Sequence, residues 1–313
     1  MHWKLKAAIQ NGVSLLPSSA SYAAYYWIQK RFGGLNSLNP MSRLNAGVAT
    51  WRLILQQGYD PTGKIFLEVG TGRVPFLPLA YWLMGAEKTI TIDLNPYMKS
   101  ELIVDSLIRI KENQKEILNL FGLLINRKRF DKLLEFCDNA QPTKAEFLDL
   151  CQIDYIAPGD ATSIPLPNNS IDFHTSYTVL EHIPQEILKK ILEEGNRIIK
   201  NNGLFVHRID YSDHFSHSDK SISAINFLQY SDAEWRKYAD NRYMYMNRLR
   251  HDDFINLFES VEHRIVKSQS YLLEERLRQL VERGDFPLAQ KFSSKPAEIL
   301  AITGAWMVTQ QKC

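Results

Sequence analysis

The sequence predicts an α/β fold built on a doubly wound, mostly parallel sheet, and three observations carry that expectation. Ile65-Phe66-Leu67-Glu68-Val69 is a short apolar run closed by Gly70-Thr71-Gly72, as a buried strand entering a tight turn would be. About twenty residues on, Thr89-Ile90-Thr91-Ile92 repeats the strand pattern and ends on Asp93, the spacing of a nucleotide-binding β-α-β unit. Beyond it, helical and strand-like segments alternate, which favours a parallel sheet covered on both faces.

The elements follow in order. Residues 1–58 read as a helical extension, broken at Pro17-Ser18-Ser19 and Gly33-Gly34. The turn Asp60-Pro61-Thr62-Gly63 launches the first strand of a domain spanning 59–313. Pro75 and Pro78 fit only the first turn of the next helix, and Gly85 stands where its C-cap belongs. Residues 102–150 are longer than a plain crossover needs. Leu107, Ile110, Ile117, Leu118, Leu123 and Leu133-Leu134 recur there at helical spacing, which predicts one or two inserted helices over Leu102 to Phe136. Arg127, Lys128, Arg129 and Lys132 read as a solvated face of that insertion. Ile187, Leu188, Ile191, Leu192, Ile198 and Ile199 mark an amphipathic helix that ends at Asn201-Asn202-Gly203, where the next strand begins. Val261 to Val266 and Ile299 to Val308 are two more strand candidates, with Leu272 to Gln290 helical between them.

Composition bounds the function. The net charge of +2 over 313 residues and the lack of a concentrated basic stripe argue against a nucleic-acid partner. Cys137, Cys151 and Cys313 form no close pair, so neither a disulfide framework nor a zinc knuckle is expected, and cytoplasm fits. No apolar run reaches the length of a membrane span. Tyr22, Tyr25, Tyr26 and Trp27, beside Lys30 and Arg31, are read first as a helix face packed on the domain. Peripheral membrane contact through residues 1–34 is the lesser reading. Oligomeric state leaves no mark in the sequence.

The glycine turn narrows the ligand. Glycine belongs where a cofactor must approach the backbone, and an acid ending the second strand suits ribose hydroxyls. A dinucleotide fingerprint wants a third glycine where this chain has Pro75. Glu68 is awkward beside a pyrophosphate and suits a ligand that carries an ammonium group. At this point the chain resembles the class I S-adenosylmethionine-dependent methyltransferases, whose first motif is an acid-x-Gly-x-Gly-x-Gly turn. Val74 stands at the third glycine of that motif. The resemblance continues through Gly159-Asp160-Ala161 with Ile164-Pro165-Leu166-Pro167, Ser170-Ile171-Asp172-Phe173, Val179-Leu180-Glu181-His182-Ile183 and Gly203-Leu204-Phe205-Val206. It covers residues 60–210 and is similar to the group that includes ubiquinone- and menaquinone-biosynthesis methyltransferases.

That resemblance implies a Rossmann-like sheet of seven strands, the sixth and seventh antiparallel, with S-adenosyl-L-methionine as cofactor. It also implies that Glu68, Gly70 and Gly72 hold the methionine end, that Asp93 accepts from the ribose hydroxyls, and that Thr71 and Leu94 contact the cofactor. Asp160 and Ala161 would line adenine, and Ser176 or Tyr177 would follow the fourth strand beneath the sulfonium. The Asn/Asp-Pro-Pro-aromatic tetrad of many amine methylases is absent, since Ser176-Tyr177-Thr178-Val179 stands in its place. A hydroxyl acceptor, or less readily a carbon, on a small metabolite or glycan precursor is therefore expected.

Catalytic candidates are His182, His214 and Asp210. The loop after the fifth strand concentrates His207, Asp210, Asp213, His214 and His217, residue types that serve as a general base near neutral pH. Asp213-His214 with His217 is a loose spacing for a cation, so no metal is assigned. The aromatic and arginine-rich stretch Tyr230, Trp235, Tyr238, Arg242, Tyr243, Tyr245, Arg248 and Arg250, within an insertion over 211–256, is read as an acceptor-binding lid. A nucleic-acid methyltransferase and a non-catalytic cofactor-binding protein remain the rival readings.

Overall fold

A computed structural model describes residues 1–35, 39–138, 142–272 and 275–312. Three helices come first: α1 (Trp3–Ser14), α2 (Ser18–Phe32) and α3 (Pro40–Gln56). Then follow β1 (Ile65–Val69), α4 (Phe76–Leu83), β2 (Lys88–Ile92), the helices α5 (Ser100–Glu112), α6 (Gln114–Phe121), α7 (Arg127–Cys137) and α8 (Lys144–Leu150), and β3 (Ile153–Ile156). The remainder is β4 (Ile171–Tyr177), α9 (Gln185–Ile198), β5 (Ile199–Asp210), α10 (Asp232–Ala239), α11 (His251–Ser260), β6 (His263–Leu272), α12 (Glu275–Glu282), α13 (Ala297–Ala301) and β7 (Ile302–Gln311).

The strands form one seven-stranded sheet in the order β3-β2-β1-β4-β5-β7-β6. β1 pairs parallel with β2 and β4, and β2 with β3, while the antiparallel pairing falls among β5–β7. This is the Rossmann-like doubly wound fold. The order reverses beside β1, and the crevice at the carboxyl ends of strands flanking such a switch point is where open α/β sheets bind ligands.

The chain divides into two compact units. Unit 1 is Met1–Asn36, Thr178–Lys189 and Arg208–Met307, and unit 2 is Ser37–Tyr177, Lys190–His207 and Val308–Cys313. The core of unit 2 is aromatic at its centre. Phe66 of β1 lies 4.4 Å from Tyr81, 4.9 Å from Phe173 and 5.8 Å from Trp51, measured between ring centroids. Unit 1 is organised around Trp3, whose ring meets those of Phe215, Tyr230, Trp235 and Tyr238.

Several sequence expectations shift in detail. The segment over Leu102 to Phe136 is three helices, because Asn113 and Gly122 (φ +55°) each end one. Arg129 is not on a solvated face. Its guanidinium donates to the carbonyls of Trp82 and Ala86 at 2.7 Å each, capping the end of α4. Asn201-Asn202-Gly203 does not end a helix: β5 starts directly at Ile199. Gly203 is required by close approach, since a Cβ there would sit 2.7 Å from the Asp172 carbonyl oxygen. The apolar run from Ile299 splits into the end of α13 and the start of β7, an ambiguity that a short apolar stretch cannot resolve. The helix expected over Leu272 to Gln290 contracts to α12, stopped by Gly284 at φ +72°. Residues 273–274 of that expectation, and Cys313, lie outside the described residues. Among the described residues Cys137 and Cys151 are free thiols, and burial raises the pKa of both.

At the amino end, Tyr25 stacks on Tyr243 at 3.9 Å and Tyr22 meets the same ring edge-on at 6.0 Å, so part of the aromatic cluster packs. Trp27 and Phe32 stay exposed, at 61% and 71%. No helix among the described residues is long and apolar enough to cross a membrane.

Candidate functional site

Unit 2 carries the glycine turn. Gly70 (φ +88°) and Gly72 (φ +68°) both occupy the left-handed region, which explains the residue type at each. A Cβ on Gly72 would meet nothing within 4 Å, so the space over the turn is open. Asp93 ties the turn to the end of β2. Its Oδ2 accepts from the Gly72 N–H at 2.8 Å, and its Oδ1 from the Asn95 N–H at 3.1 Å. Each oxygen keeps a second lone pair for an external donor. Burial raises the Asp93 pKa against the pull of those two donors.

Glu68 lies behind the turn and is buried. Its Oε2 accepts from Thr91 Oγ1 at 3.0 Å, and that hydroxyl is 2.5 Å from Thr71 Oγ1. Desolvation pushes the carboxyl up to about 8, with Arg43 pulling the other way. Thr71 therefore joins the site as part of a Glu68-Thr91-Thr71 chain. Leu94, next to Asp93, is 73% exposed and offers an apolar surface. Asp160 caps its own turn by accepting from the Thr162 N–H and hydroxyl at 2.8 and 2.7 Å, with Ala161 half-buried beside it. Ser176 is buried, with its Oγ 2.8 Å from His207 Nδ1. Arg43 of α3 donates to the Tyr177 carbonyl at 3.4 Å and places its guanidinium 4.7 Å from the Tyr177 ring centre. Arg43 was not legible as a site residue, because nothing in a helix pattern marks one arginine among several.

Unit 1 holds a second cluster, and it brings together all three catalytic candidates. His214 Nε2 is 3.5 Å from Asp210 Oδ2 and 4.0 Å from Glu181 Oε1. Its ring lies 4.7 Å from that of His182 and 4.8 Å from that of His217. Asp210 Oδ1 accepts from the Ser212 N–H at 2.9 Å and the Ser212 hydroxyl at 2.6 Å. Burial opposes ionisation of Asp210, but His214 and the Ser212 donors outweigh it and hold its pKa below the usual range. His182 Nδ1 is 2.8 Å from the Tyr245 carbonyl. Facing a carbonyl, Nδ1 carries the proton, so Nε2 keeps a lone pair. Burial, then the neighbouring His214, lowers the His182 pKa to about 4, which keeps the ring neutral. Burial raises Glu181 well above the ordinary carboxylate range.

Other candidates are placed elsewhere. Asp213 turns away and accepts from Asn226 Nδ2 and the Phe215 N–H, both at 2.8 Å. Arg250 is fully buried, donating to the carbonyls of Tyr211 (2.7 Å) and Leu300 (2.9 Å) and to Ile302. Arg248 binds the carbonyls of Phe227 and Tyr230, and Trp235 lies in the unit 1 core. Those three side chains hold the loop after β5 together. Thr178, immediately after β4, sits at φ +51°, a strained conformation for a β-branched residue and one that nothing in the sequence signals.

Residues 128–207 match the family model described as a methyltransferase domain. No curated protein matches the chain. Among solved structures, the chain is similar to the YcgJ protein of Bacillus subtilis, with 12% identity and a TM-score of 0.43, covering 85% of this chain and 99% of that one. A Mesorhizobium loti S-adenosylmethionine-dependent methyltransferase aligns at 12% identity and TM-score 0.44, over 85% of this chain and 100% of that one. A magnesium protoporphyrin IX methyltransferase from Synechocystis with bound SAH aligns at 10% and 0.45, over 98% and 99%.

Proposed function

We propose that this chain is an S-adenosylmethionine-dependent methyltransferase, and that its acceptor is a hydroxyl, or less readily a carbon, of a small metabolite or glycan precursor. The observation that carries this reading is the turn after β1. Two left-handed glycines stand there, the space over Gly72 is open, and the Asp93 carboxylate is fixed beside it by the Gly72 N–H. Such a turn fits an adenosyl ligand with an amino-acid tail. Asp93 keeps lone pairs for ribose hydroxyls, exposed Leu94 offers an apolar face to a base, and Glu68 offers a charge to an ammonium. The motifs downstream of the turn support a place beside the quinone-biosynthesis methyltransferases.

When bound, the cofactor supplies an electrophilic methyl on sulfur. The chain's own contribution is alignment and, for a hydroxyl acceptor, removal of its proton. His214 is the residue we assign to that proton, with Asp210 Oδ2, 3.5 Å from its ring, stabilising the imidazolium that results. The Ser212 donors hold the Asp210 carboxylate ionised for this purpose.

The test supplies methyl-labelled S-adenosylmethionine with metabolite and glycan fractions. Label is expected in an alkali-stable ether, and His214→Ala is expected to lower kcat by about 10²–10⁴, the usual worth of a general base. Full turnover in His214→Ala would remove the base. Failure of the cofactor to bind would remove the activity.

A further inference from the structure

The cluster in unit 1 contains more than a general base requires. Glu181 is 2% exposed, and both of its carboxylate oxygens are buried with no side-chain hydrogen bond, facing only the main-chain N–H groups of Glu181 and Asp210 at poor geometry. Burying a carboxylate in that condition costs several kcal/mol unless something cationic meets it. Its Oε1 lies 4.0 Å from His214 Nε2, a buried nitrogen whose nearest partner is Asp210 Oδ2 at 3.5 Å. On the other side of the same nitrogen stands a second carboxylate, Asp210. Two carboxylates thus meet at one imidazole nitrogen.

The donor atoms have the spacing of a coordination shell. Those of Glu181, His182 and His214 lie within 4.8 Å of one another, and so do those of Asp210, His214 and His217. The individual separations from His214 Nε2 are 3.5 Å to Asp210 and 4.0 Å to Glu181. Ligands bound at about 2.1 Å stand about 3.0 Å apart in a six-coordinate shell and about 3.4 Å apart in a tetrahedral one, so an inward movement of side chains completes the shell. The tautomer is also set. His182 Nδ1 is engaged by the Tyr245 carbonyl at 2.8 Å, which leaves Nε2 as the lone-pair nitrogen. A ring N–H donated to a backbone carbonyl is the usual outer-shell support of a ligating histidine.

We propose that Glu181, His182, Asp210, His214 and His217 form a binding site for one divalent first-row transition-metal ion, held through His214 as the ligand common to both trios. Imidazole-rich donors with two carboxylates select an ion such as Zn²⁺, Co²⁺ or Mn²⁺ over Mg²⁺ or Ca²⁺, which prefer all-oxygen shells. His217, the most exposed of the five, donates its Nε2–H to the Ser212 hydroxyl 2.9 Å away, so it would join the shell through Nδ1 or by releasing that serine. The sequence spacing pointed to Asp213 as the acidic partner, but that side chain serves Asn226 and Phe215. Glu181 arrives from the segment after β4, and no local motif could pair it with the loop after β5. With an ion at its Nε2, His214 acts as a ligand and not as a base. The ion's use as a Lewis acid toward a hydroxyl rests on the function proposed above, whereas its binding does not.

The experiment strips the full chain with a chelator, then titrates Zn²⁺, Co²⁺ and Mn²⁺ by calorimetry. Bound metal is counted by elemental analysis, and the Co²⁺ form is examined for ligand-field bands in the visible. One equivalent is expected. His214→Ala and the isosteric Glu181→Gln should each weaken binding by at least about 100-fold, the upper end of what loss of an outer-shell partner costs. His2→Ala serves as the control and should bind as the wild type does. Circular dichroism checks that each variant is folded, and Glu181→Gln, which keeps the shape of the side chain, reads the site if His214→Ala does not fold. The proposal is overturned if the wild type takes up no stoichiometric equivalent of any of the three ions. It is equally overturned if folded Glu181→Gln binds as tightly as the wild type.

Discussion

With its carboxyl pushed up to about 8, Glu68 is protonated in about nine of ten unliganded molecules at pH 7. If the cofactor's ammonium docks against it, the opposite charge lowers that pKa by about 1–3 units. The carboxyl then ionises, and binding at pH 7 releases about 0.4 to 0.9 of a proton per cofactor. Calorimetric titration in buffers of different ionisation enthalpy reads this directly, as the slope of observed heat against buffer enthalpy. S-adenosylhomocysteine, which keeps the ammonium, should release the same fraction, whereas adenosine should release none. Glu68→Gln should abolish the release and weaken both amino-acid-bearing ligands. The same group fixes a slope in stability. Because its folded pKa lies above the unfolded value of 4.5, the folded state holds the extra proton between those limits. The unliganded fold therefore loses stability as pH rises from 4.5 to about 8, by up to roughly 5 kcal/mol from this group. Glu68→Gln should flatten that part of the profile. A wild type that binds cofactor at pH 7 with no proton release, or a Glu68→Gln variant that still releases one, would refute the placement of Glu68 at the ammonium.

Asp93→Ala should weaken S-adenosylmethionine by at least about tenfold, since each charge-assisted hydrogen bond lost is worth about 1.5–3 kcal/mol. Asp93→Asn, which still accepts from the Gly72 N–H, should fall between it and the wild type in the same titration. Gly203→Ala should cost about 1–3 kcal/mol in urea unfolding, because its Cβ meets a backbone oxygen that cannot move aside. Arg250→Met should cost at least about 1–3 kcal/mol, the penalty for a buried acceptor left unsatisfied, because the Tyr211, Leu300 and Ile302 carbonyls lose their donor. Thermal unfolding that is unchanged in Arg250→Met would show those carbonyls find other partners.

The sheet was legible because its signals are local. β1 and β2 are apolar runs of strand length, and Gly70 and Gly72 are demanded by their own backbone angles. The turn to Asp93 was readable for the same reason, since twenty residues of a β-α-β unit leave little freedom. The second cluster was only half legible. Asp210, His214 and His217 share one loop and could be grouped by eye, whereas Glu181 and His182 join them by tertiary folding alone. Arginines show the opposite failure. Arg129, Arg248 and Arg250 looked like ligands for solvent or an acceptor, but each donates to main-chain carbonyls. A sequence shows charge, and only packing shows whether a carbonyl has already claimed it.

The chain changes unit five times, and residues Val308 to Lys312 belong with β1 and β4 although more than a hundred positions separate them from either strand. Val308 and Thr309 are buried, and Gln310 Nε2 donates to the Tyr59 hydroxyl at 3.1 Å. A nascent chain therefore holds its glycine turn, its Asp93 and most of its core in an unfinished unit until β7 has left the ribosome. Contacts so distant along the chain form slowly. Apolar strands exposed for that interval are sticky, which makes the unfinished unit the part of the nascent chain that chaperones would have to cover.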